Sequence, residues 1–209
     1  MTIDEVMQAA PVIPVLVMSS EHDPAELART LVGAGLRVLE VTLRTPDALD
    51  AVRAMAEVPG AIVGAGTVLN ERQLEHAQEA GARFIVAPGL SEPLTRAAAA
   101  SGIAYLPGVA TAGDIMRGLD LGLSRFKFFP AEASGGLPAL RALAGPFGEV
   151  RFCPTGGITE ASAPEWLAEP AVTCIGGSWL VKKGMSLEEI GEAARRAAAF
   201  RGRAQAGIN

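Results

Sequence analysis

A chain of 209 residues that is 49% hydrophobic and 20% charged has enough apolar material for a full core and length for one large domain or two small ones. Its net charge of −5, with no basic cluster to neutralise a row of phosphates, argues against nucleic acid as a partner. No apolar run reaches the roughly 18 residues of a membrane helix before Gly, Pro or a charge breaks it, and the opening MTIDEVMQAAPVIP carries acids where a secretory signal carries bases. The expected location is the cytoplasm, with no membrane association.

In chain order, residues 3–9 read as a short helix and VIPVLVM (12–18) as the first strand. HDPAEL then offers Asp23 as a side-chain cap and Pro24 as the first helical residue. The second strand is VLEVTLR (38–44), after which RTPDAL repeats the signal, with Thr45 expected as cap and Pro46 as first helical residue. AIVGAGTV (61–68) leads into LNERQ, where Asn70 and Gln73 have capping-box spacing. FIVAPGL (84–90), AYLPGVA (104–110), RFKFFPA (125–131), VRFCPTGGI (150–158) and TCIGGSWL (173–180) supply further strands. Ser186 and Glu189 open a last helix whose exposed face carries RRAAAFRGR, and the terminal QAGIN is expected to be disordered. Helix stops fall at Gly60, Gly81, Gly102 and the pair Gly145–Pro146.

These eight apolar runs start 20 to 26 residues apart, with a helix between neighbours. Near-continuous apolar strands are what a parallel sheet covered on both faces requires. The prediction is one (β/α)8 TIM barrel over residues 1–209, with a short N-terminal helix. An open doubly wound sheet is the alternative, but the first turn, VLVMSSEHDP, lacks the Gly-rich phosphate loop common in that fold. Cys153 and Cys174 read as reduced core residues, and neither His22 nor His76 has metal-ligand spacing with them, so no metal site is expected.

One residue is out of place in this pattern. The chain has fifteen arginines and three lysines, and one lysine, Lys127, interrupts the apolar run RFKFF. Side chains alternate along a strand, so Lys127 and Phe129 share one face and Phe126 and Phe128 the other. On the second strand Leu39, Val41 and Leu43 suit the helix layer, which turns Glu40, Thr42 and Arg44 inward. Glu40 and Lys127 are each third in their runs and would lie at similar depth if the registers match. A structural ion pair is the competing reading, yet burying two charges costs several kcal/mol per ion and aliphatic side chains fill a barrel at less cost. The functional reading uses the same desolvation: an apolar site favours the neutral amine, which attacks ketones to form a Schiff base. Arginine cannot lose its proton to do so.

The last two strands end in PTGGI (154–158) and IGGSW (175–179), with glycine pairs 20 residues apart. Glycines there let backbone N–H groups approach an anion, and the loops after strands seven and eight are the frequent phosphate site of such barrels. Thr155 and Ser178 add hydroxyls; plain tight turns are the alternative. Arg44 and Thr67, at the ends of strands two and three, suit a carboxylate, although Arg44 starts roughly 13 Å above Glu40 and must fold down to reach a substrate on Lys127.

Taken together, RVLEVTLRT (37–45), AIVGAGTVLN (61–70), APGL (87–90), FKFFPAE (126–132), RFCPTGGI (151–158) and CIGGSWLV (174–181) resemble the 2-dehydro-3-deoxy-phosphogluconate (KDPG) and 4-hydroxy-2-oxoglutarate (KHG) aldolases over nearly the whole chain. The resemblance implies a class I, metal-independent aldolase of the Entner–Doudoroff route, with no cofactor, a phosphorylated keto acid as substrate, and a homotrimer. It implies Lys127 as the Schiff-base residue, Glu40 as general acid/base, Arg44 and Thr67 at the pyruvyl end, and Thr155, Gly156, Gly157, Gly177 and Ser178 around the distal hydroxyls and phosphate. KHG, the phosphogalactonate epimer, or a non-catalytic phosphosugar-binding barrel are the alternatives. Ala87 stands where relatives often carry a hydroxyl.

Overall fold

Strands and helices alternate as the apolar runs predict. The computed structural model of the protein describes residues 1–200, so QAGIN lies outside the described residues. Five strands, β1 Val12–Leu16, β2 Val38–Thr42, β3 Ile62–Gly66, β4 Phe84–Val86 and β5 Ala104–Leu106, are followed by β6 Gly108–Val109, β7 Arg125–Phe128, β8 Arg151–Phe152 and β9 Ile175–Gly177. The helices are α1 Ile3–Gln8, α2 Pro24–Gly33, α3 Ala48–Ala56, α4 Glu71–Glu79, α5 Glu92–Ser101, α6 Ala112–Asp120, α7 Gly136–Ala144, α8 Ala163–Leu167 and α9 Leu187–Ala198. Among the described residues, none is long and apolar enough to cross a membrane.

The sheet is parallel. A curled six-stranded part runs in the order β5-β4-β3-β2-β1-β9, and a three-stranded part in the order β6-β7-β8. Both junctions between the parts have local causes. The predicted fifth strand splits at Pro107, which has no N–H to give to a ladder; its carbonyl still accepts from Lys127 N at 2.8 Å. At the other junction Thr155 and Gly176 form an isolated parallel bridge, with Gly176 N donating to Pro154 O at 2.9 Å.

Helix starts follow the caps with one correction. Asp23 accepts from Glu26 N at 2.9 Å with Pro24 in the first turn, Asn70 accepts from Gln73 N at 3.0 Å, and Ser186 and Glu189 form a full capping box. Replacing such a cap by Ala costs about 1 kcal/mol. The Thr45–Pro46 start is wrong: α3 begins at Ala48, with Asp47 at the cap position and no side-chain cap bond. Residues 44–47 instead turn over the end of β2, where Arg44 N donates to Thr42 O and Ala48 N to Thr45 O. Gly102 ends α5 in the left-handed region, at φ 71°, where glycine is favoured.

Register sorts the strand faces. Val38 pairs with Ile62 and Thr42 with Gly66, so Glu40 and Thr42 share the inner face with Gly64 and Gly66 while Leu39 and Val41 face the helices. The two glycines make room inside: a methyl on Gly64 would lie 2.4 Å from the Phe84 ring, and one on Gly66 only 2.2 Å from Glu40 Oε1. Phe84, Phe126, Phe128 and Phe152 are fully buried, each contributing about 1.5–3 kcal/mol through burial. Phe128 packs against Trp166 of α8 with ring centroids 6.4 Å apart, and Phe126 fills the space over Gly118 of α6.

Helix α1 is tied to the N-terminal end of β7 by an ion pair, Arg125 Nε to Asp4 Oδ1 at 2.6 Å. The hydrogen bond from Arg125 is the main influence on Asp4 and holds its carboxyl below the usual range. A depressed carboxylate stabilises the fold above its unfolded-state pKa, and this contribution is lost as pH falls through the lowered folded-state value. Both partners are partly exposed, so the pair contributes under about 1 kcal/mol. Asp4→Asn is expected to lower the neutral-pH Tm by less than about 4 °C and to shrink the Tm difference between neutral and acid pH, measured by parallel thermal melts.

Candidate active site

Although β2 and β7 belong to different parts of the sheet, the third residue of each meets the other across the interior. Lys127 Nζ lies 3.1 Å from Glu40 Oε1, across 87 sequence positions, with both side chains more than nine-tenths buried. The lysine is held from its own backbone, since Lys127 N donates to Pro107 O and its register partner is Gly108. A methyl on Gly108 would strike Pro88 O at 2.1 Å, so the APGL loop passes directly over this neighbour. The ring of Phe129, on the same face as Lys127, lies 5.2 Å from Nζ, close enough for a cation–π contact while the amine is charged. The carboxylate has its place because Gly66 has no side chain.

The other inward residues of β2 separate. Thr42 is fully buried, and its Oγ1 donates to Leu16 O at 2.8 Å, which straps β2 to β1. Arg44 lies beyond β2, which ends at Thr42; it is exposed, and its guanidinium has no ion-pair partner among the described residues. No contact joins it to the Lys127–Glu40 pair. Beside it the hydroxyl of Thr45 is buried without a hydrogen-bond partner. Thr67, one residue past β3, is half-buried with φ 61°, the single non-glycine residue with positive φ among those described. A β-branched residue held there stores about 1–3 kcal/mol of strain, a pattern that clusters at ligand sites.

The β8 and β9 ends resolve the two glycine pairs. Thr155 is buried on the inner face, its backbone N donating to Phe128 O at 3.0 Å and its carbonyl accepting from Ala131 N at 2.8 Å. Gly156 and Gly157 have φ 108° and 81°. A methyl on Gly157 would also meet Glu132 Cβ at 2.7 Å, so neither position admits a side chain without strain. Gly177 faces away from the interior: a methyl there would lie 2.6 Å from Trp179 and 2.9 Å from Val12. Gly176, which the sequence reading passed over, is the glycine beside Thr155, where a methyl would come within 2.2 Å of Oγ1. Ser178 is exposed at the rim. Gly66, Gly108 and Gly176 are sequence-silent because their value is the space they leave for residues far away in the chain; Phe129 was legible as the residue sharing a face with Lys127. Cys153 and Cys174 are buried and not joined as a disulfide. Among the described residues no His, Cys, Asp and Glu side chains cluster as a metal site.

A buried amine within one hydrogen bond of a carboxylate is equipped to bond to a carbonyl and to move protons beside it, the chemistry of a carbon–carbon lyase of the aldolase class. Comparison with known proteins leads to the same class. The model of the "Aldolase: KDPG and KHG aldolase" family matches residues 3–194, and the chain belongs to that family. It is 58% identical over 200 residues to the 2-dehydro-3-deoxy-phosphogluconate aldolase of Zymomonas mobilis, covering 95% of this chain and 96% of that one. It is 55% identical over 179 residues to the KHG/KDPG aldolase of Escherichia coli, covering 85% and 84%. The crystal structure of the Zymomonas mobilis enzyme with 3-phosphoglycerate superposes with a TM-score of 0.93 at 58% identity over 95% of each chain. That of the Legionella pneumophila KDPG aldolase, with pyruvate captured at low pH as a covalent carbinolamine, gives 0.91 at 41% identity over 95% of this chain and 98% of that one.

Proposed function

We propose that this protein is a class I aldolase that reversibly cleaves 2-dehydro-3-deoxy-6-phosphogluconate to pyruvate and D-glyceraldehyde 3-phosphate. The observation that carries the reading is the buried Lys127–Glu40 hydrogen bond of 3.1 Å in a member of this family. Lys127 gives up its proton, with Glu40 in reach to take it, and the amine adds to the C2 ketone. Glu40 returns that proton to the carbinolamine hydroxyl, which leaves as water, so that an iminium and an ionised Glu40 remain. Glu40, directly or through one water, removes the C4 hydroxyl proton; the C3–C4 bond breaks, its electron pair delocalises into the iminium to give an enamine, and the aldehyde leaves. Glu40 returns a proton to C3, and water hydrolyses the pyruvyl iminium to free Lys127. One carboxylate acts as base and then as acid, so the proton taken from the C4 hydroxyl is matched by the one delivered to C3 and Glu40 ends the cycle ionised as it began.

The remaining roles follow the same reading. Arg44 and Thr67 hold the pyruvyl carboxylate, Arg44 by folding inward from its exposed position. Thr155, Gly156, Gly157, Gly176 and Ser178 border the distal hydroxyls and phosphate, with Gly177 supporting that loop by packing on Trp179. The wall is one closed barrel of eight staves in a single domain, supported by the Thr155–Gly176 bridge at one seam and the carbonyl of Pro107 at the other. The chemistry needs no metal or cofactor, because the iminium supplies the electron sink. The enzyme acts as a homotrimer in the cytoplasm.

A second activity, cleavage of the shorter KHG, is favoured by the 55% identity to a relative named for both substrates; it would use Lys127, Glu40 and Arg44 and leave the phosphate region empty. The test is reductive trapping. Incubation with pyruvate and borohydride is expected to add one reduced pyruvyl group, mapped to Lys127 by peptide mass spectrometry. An unmodified Lys127 would instead favour a barrel that binds phosphosugars without chemistry.

A further inference from the structure

All three lysines of this chain bear on the same end of the fold, and only Lys127 is in an ion pair. Every other ion pair among the described residues uses an arginine. Lys182 and Lys183 are exposed and unpaired, and they line a rim pocket of about 450 Å³ between the segments that follow β1 and β9. Ser19, Ser20, Glu21 and His22 supply the rest of its polar wall, and Val17, Met18 and Val181 its apolar part. Glu21 is committed elsewhere: its Oε2 accepts from Gly184 N at 3.0 Å and so ties the two segments together. The lysine charges still outweigh the carboxylate, a positive spot on a protein of net charge −5. His22 Nε2 is shielded from solvent without a hydrogen-bond partner, an unfilled capacity in the wall. Parallel pairing of β1 with β9 sets this pocket in the next gap around the rim from Ser178. Lys182 is four residues past Ser178, at most roughly 14 Å along the chain.

We propose that Lys182 and Lys183 form a capture site for the phosphate monoester end of the substrate, and thereby set the preference for a phosphorylated keto acid over the shorter KHG. The inference rests on the aldolase reading of the Lys127 site. The glycine loops beside Thr155 and Ser178 offer backbone N–H groups and hydroxyls that hold a phosphate at contact but no cationic side chain that draws a dianion in from solution, a task the two lysines of the neighbouring gap can perform. Two unpaired ammonium groups act within a Debye length, about 8 Å at physiological ionic strength, and a mouth of one sign raises the rate of capture of an oppositely charged ligand. Lysine suits this task better than arginine, because a hydrated point charge on a flexible stem attracts phosphate without the bidentate fork that would retain it. The distal carboxylate of KHG carries one charge where a phosphate monoester carries nearly two, and it stands closer to Lys127, so its cleavage draws less on the pair.

The experiment compares kcat/KM on the phosphorylated substrate and on KHG for wild type, Lys182→Gln/Lys183→Gln and Lys182→Arg/Lys183→Arg, at low and high ionic strength. The glutamine variant is expected to lose about tenfold on the phosphorylated substrate at low salt, mainly through KM, and under about twofold on KHG. High salt should erase most of the difference, and the arginine variant should recover it. Equal losses on both substrates, or no loss at low salt, would overturn the capture site. Trapping of pyruvate on wild-type Lys127 decides the underlying reading separately: an adduct with unmoved selectivity removes only the capture site, and no adduct removes the aldolase reading.

Discussion

Lys127→Arg is expected to reduce cleavage by about 10³-fold or more and to abolish the borohydride-trapped pyruvate adduct. The substitution keeps a cation beside Glu40 but removes the group that can deprotonate and attack. Three readouts separate chemistry from folding. Steady-state cleavage measures turnover, intact-protein mass measures the adduct, and urea melts measure the fold. The larger guanidinium must fit a buried site, so a cost of about 1–3 kcal/mol is expected, too small to unfold a protein with ordinary stability. Lys127→Met gives the complementary case. It leaves the Glu40 carboxylate buried without its partner, 3% exposed, and is expected to cost about 3–5 kcal/mol along with all activity. A Lys127→Arg protein that still cleaves substrate at a tenth of the normal rate would end the Schiff-base proposal.

Glu40→Gln is expected to lower turnover by about 10²–10⁴-fold; Lys127 still bonds to pyruvate, more slowly, because its proton must pass to water. Exchange of the pyruvate methyl protons with D2O, followed by NMR, isolates the step assigned to the carboxylate, and its rate should fall in parallel with cleavage. Gly66→Ala approaches the same group from its surroundings. The added methyl would stand 2.2 Å from Oε1 and 2.7 Å from Cγ of Glu40, so the carboxylate has to swing from its place 3.1 Å from Lys127. A displacement on the order of 1 Å costs about 10²-fold in a positioned catalytic group. Gly66→Ala should therefore reproduce the exchange defect of Glu40→Gln in milder form, with both proton transfers affected together. If the alanine variant exchanges pyruvate protons at the wild-type rate, Glu40 in its observed position is not the group that moves them.

Both predictions depend on Glu40 and Lys127 lying on one inner face, and that much was legible from alternation along two short runs. Lys127 stood out as the polar residue in RFKFF of a chain that otherwise spends its positive charge on arginine. Arg44 shows the limit of the same reasoning. Alternation placed it on the inner face of a strand running to residue 44, but β2 ends at Thr42 and the chain turns away over the rim. The failed Thr45–Pro46 helix start has the same cause. The turn over residues 44–47 uses Pro46 as a turn residue, a role its fixed φ suits as well as a first helical turn.

Gly176 and Gly177 were indistinguishable as letters. Register alone decides that one opens a space beside Thr155 and the other packs beneath Trp179. The left-handed backbone of Thr67 left no trace in sequence, since nothing in the residue type favours it. Such a conformation persists only where the surroundings enforce it.

By itself the sequence determined the alternation of strands and helices, the caps at Asp23, Asn70 and Ser186, and the anomaly of one buried lysine. These are local properties, written in the period of side chains and in hydrogen bonds within a single helical turn. Only the tertiary structure decided that Glu40 and Lys127, 87 positions apart, meet at 3.1 Å, that Gly66 leaves the space for that meeting, and that Lys182 and Lys183 share a pocket with the segment after β1. Those facts come from the register and stagger of neighbouring strands, which hydrogen bonding between distant segments sets and no single segment encodes.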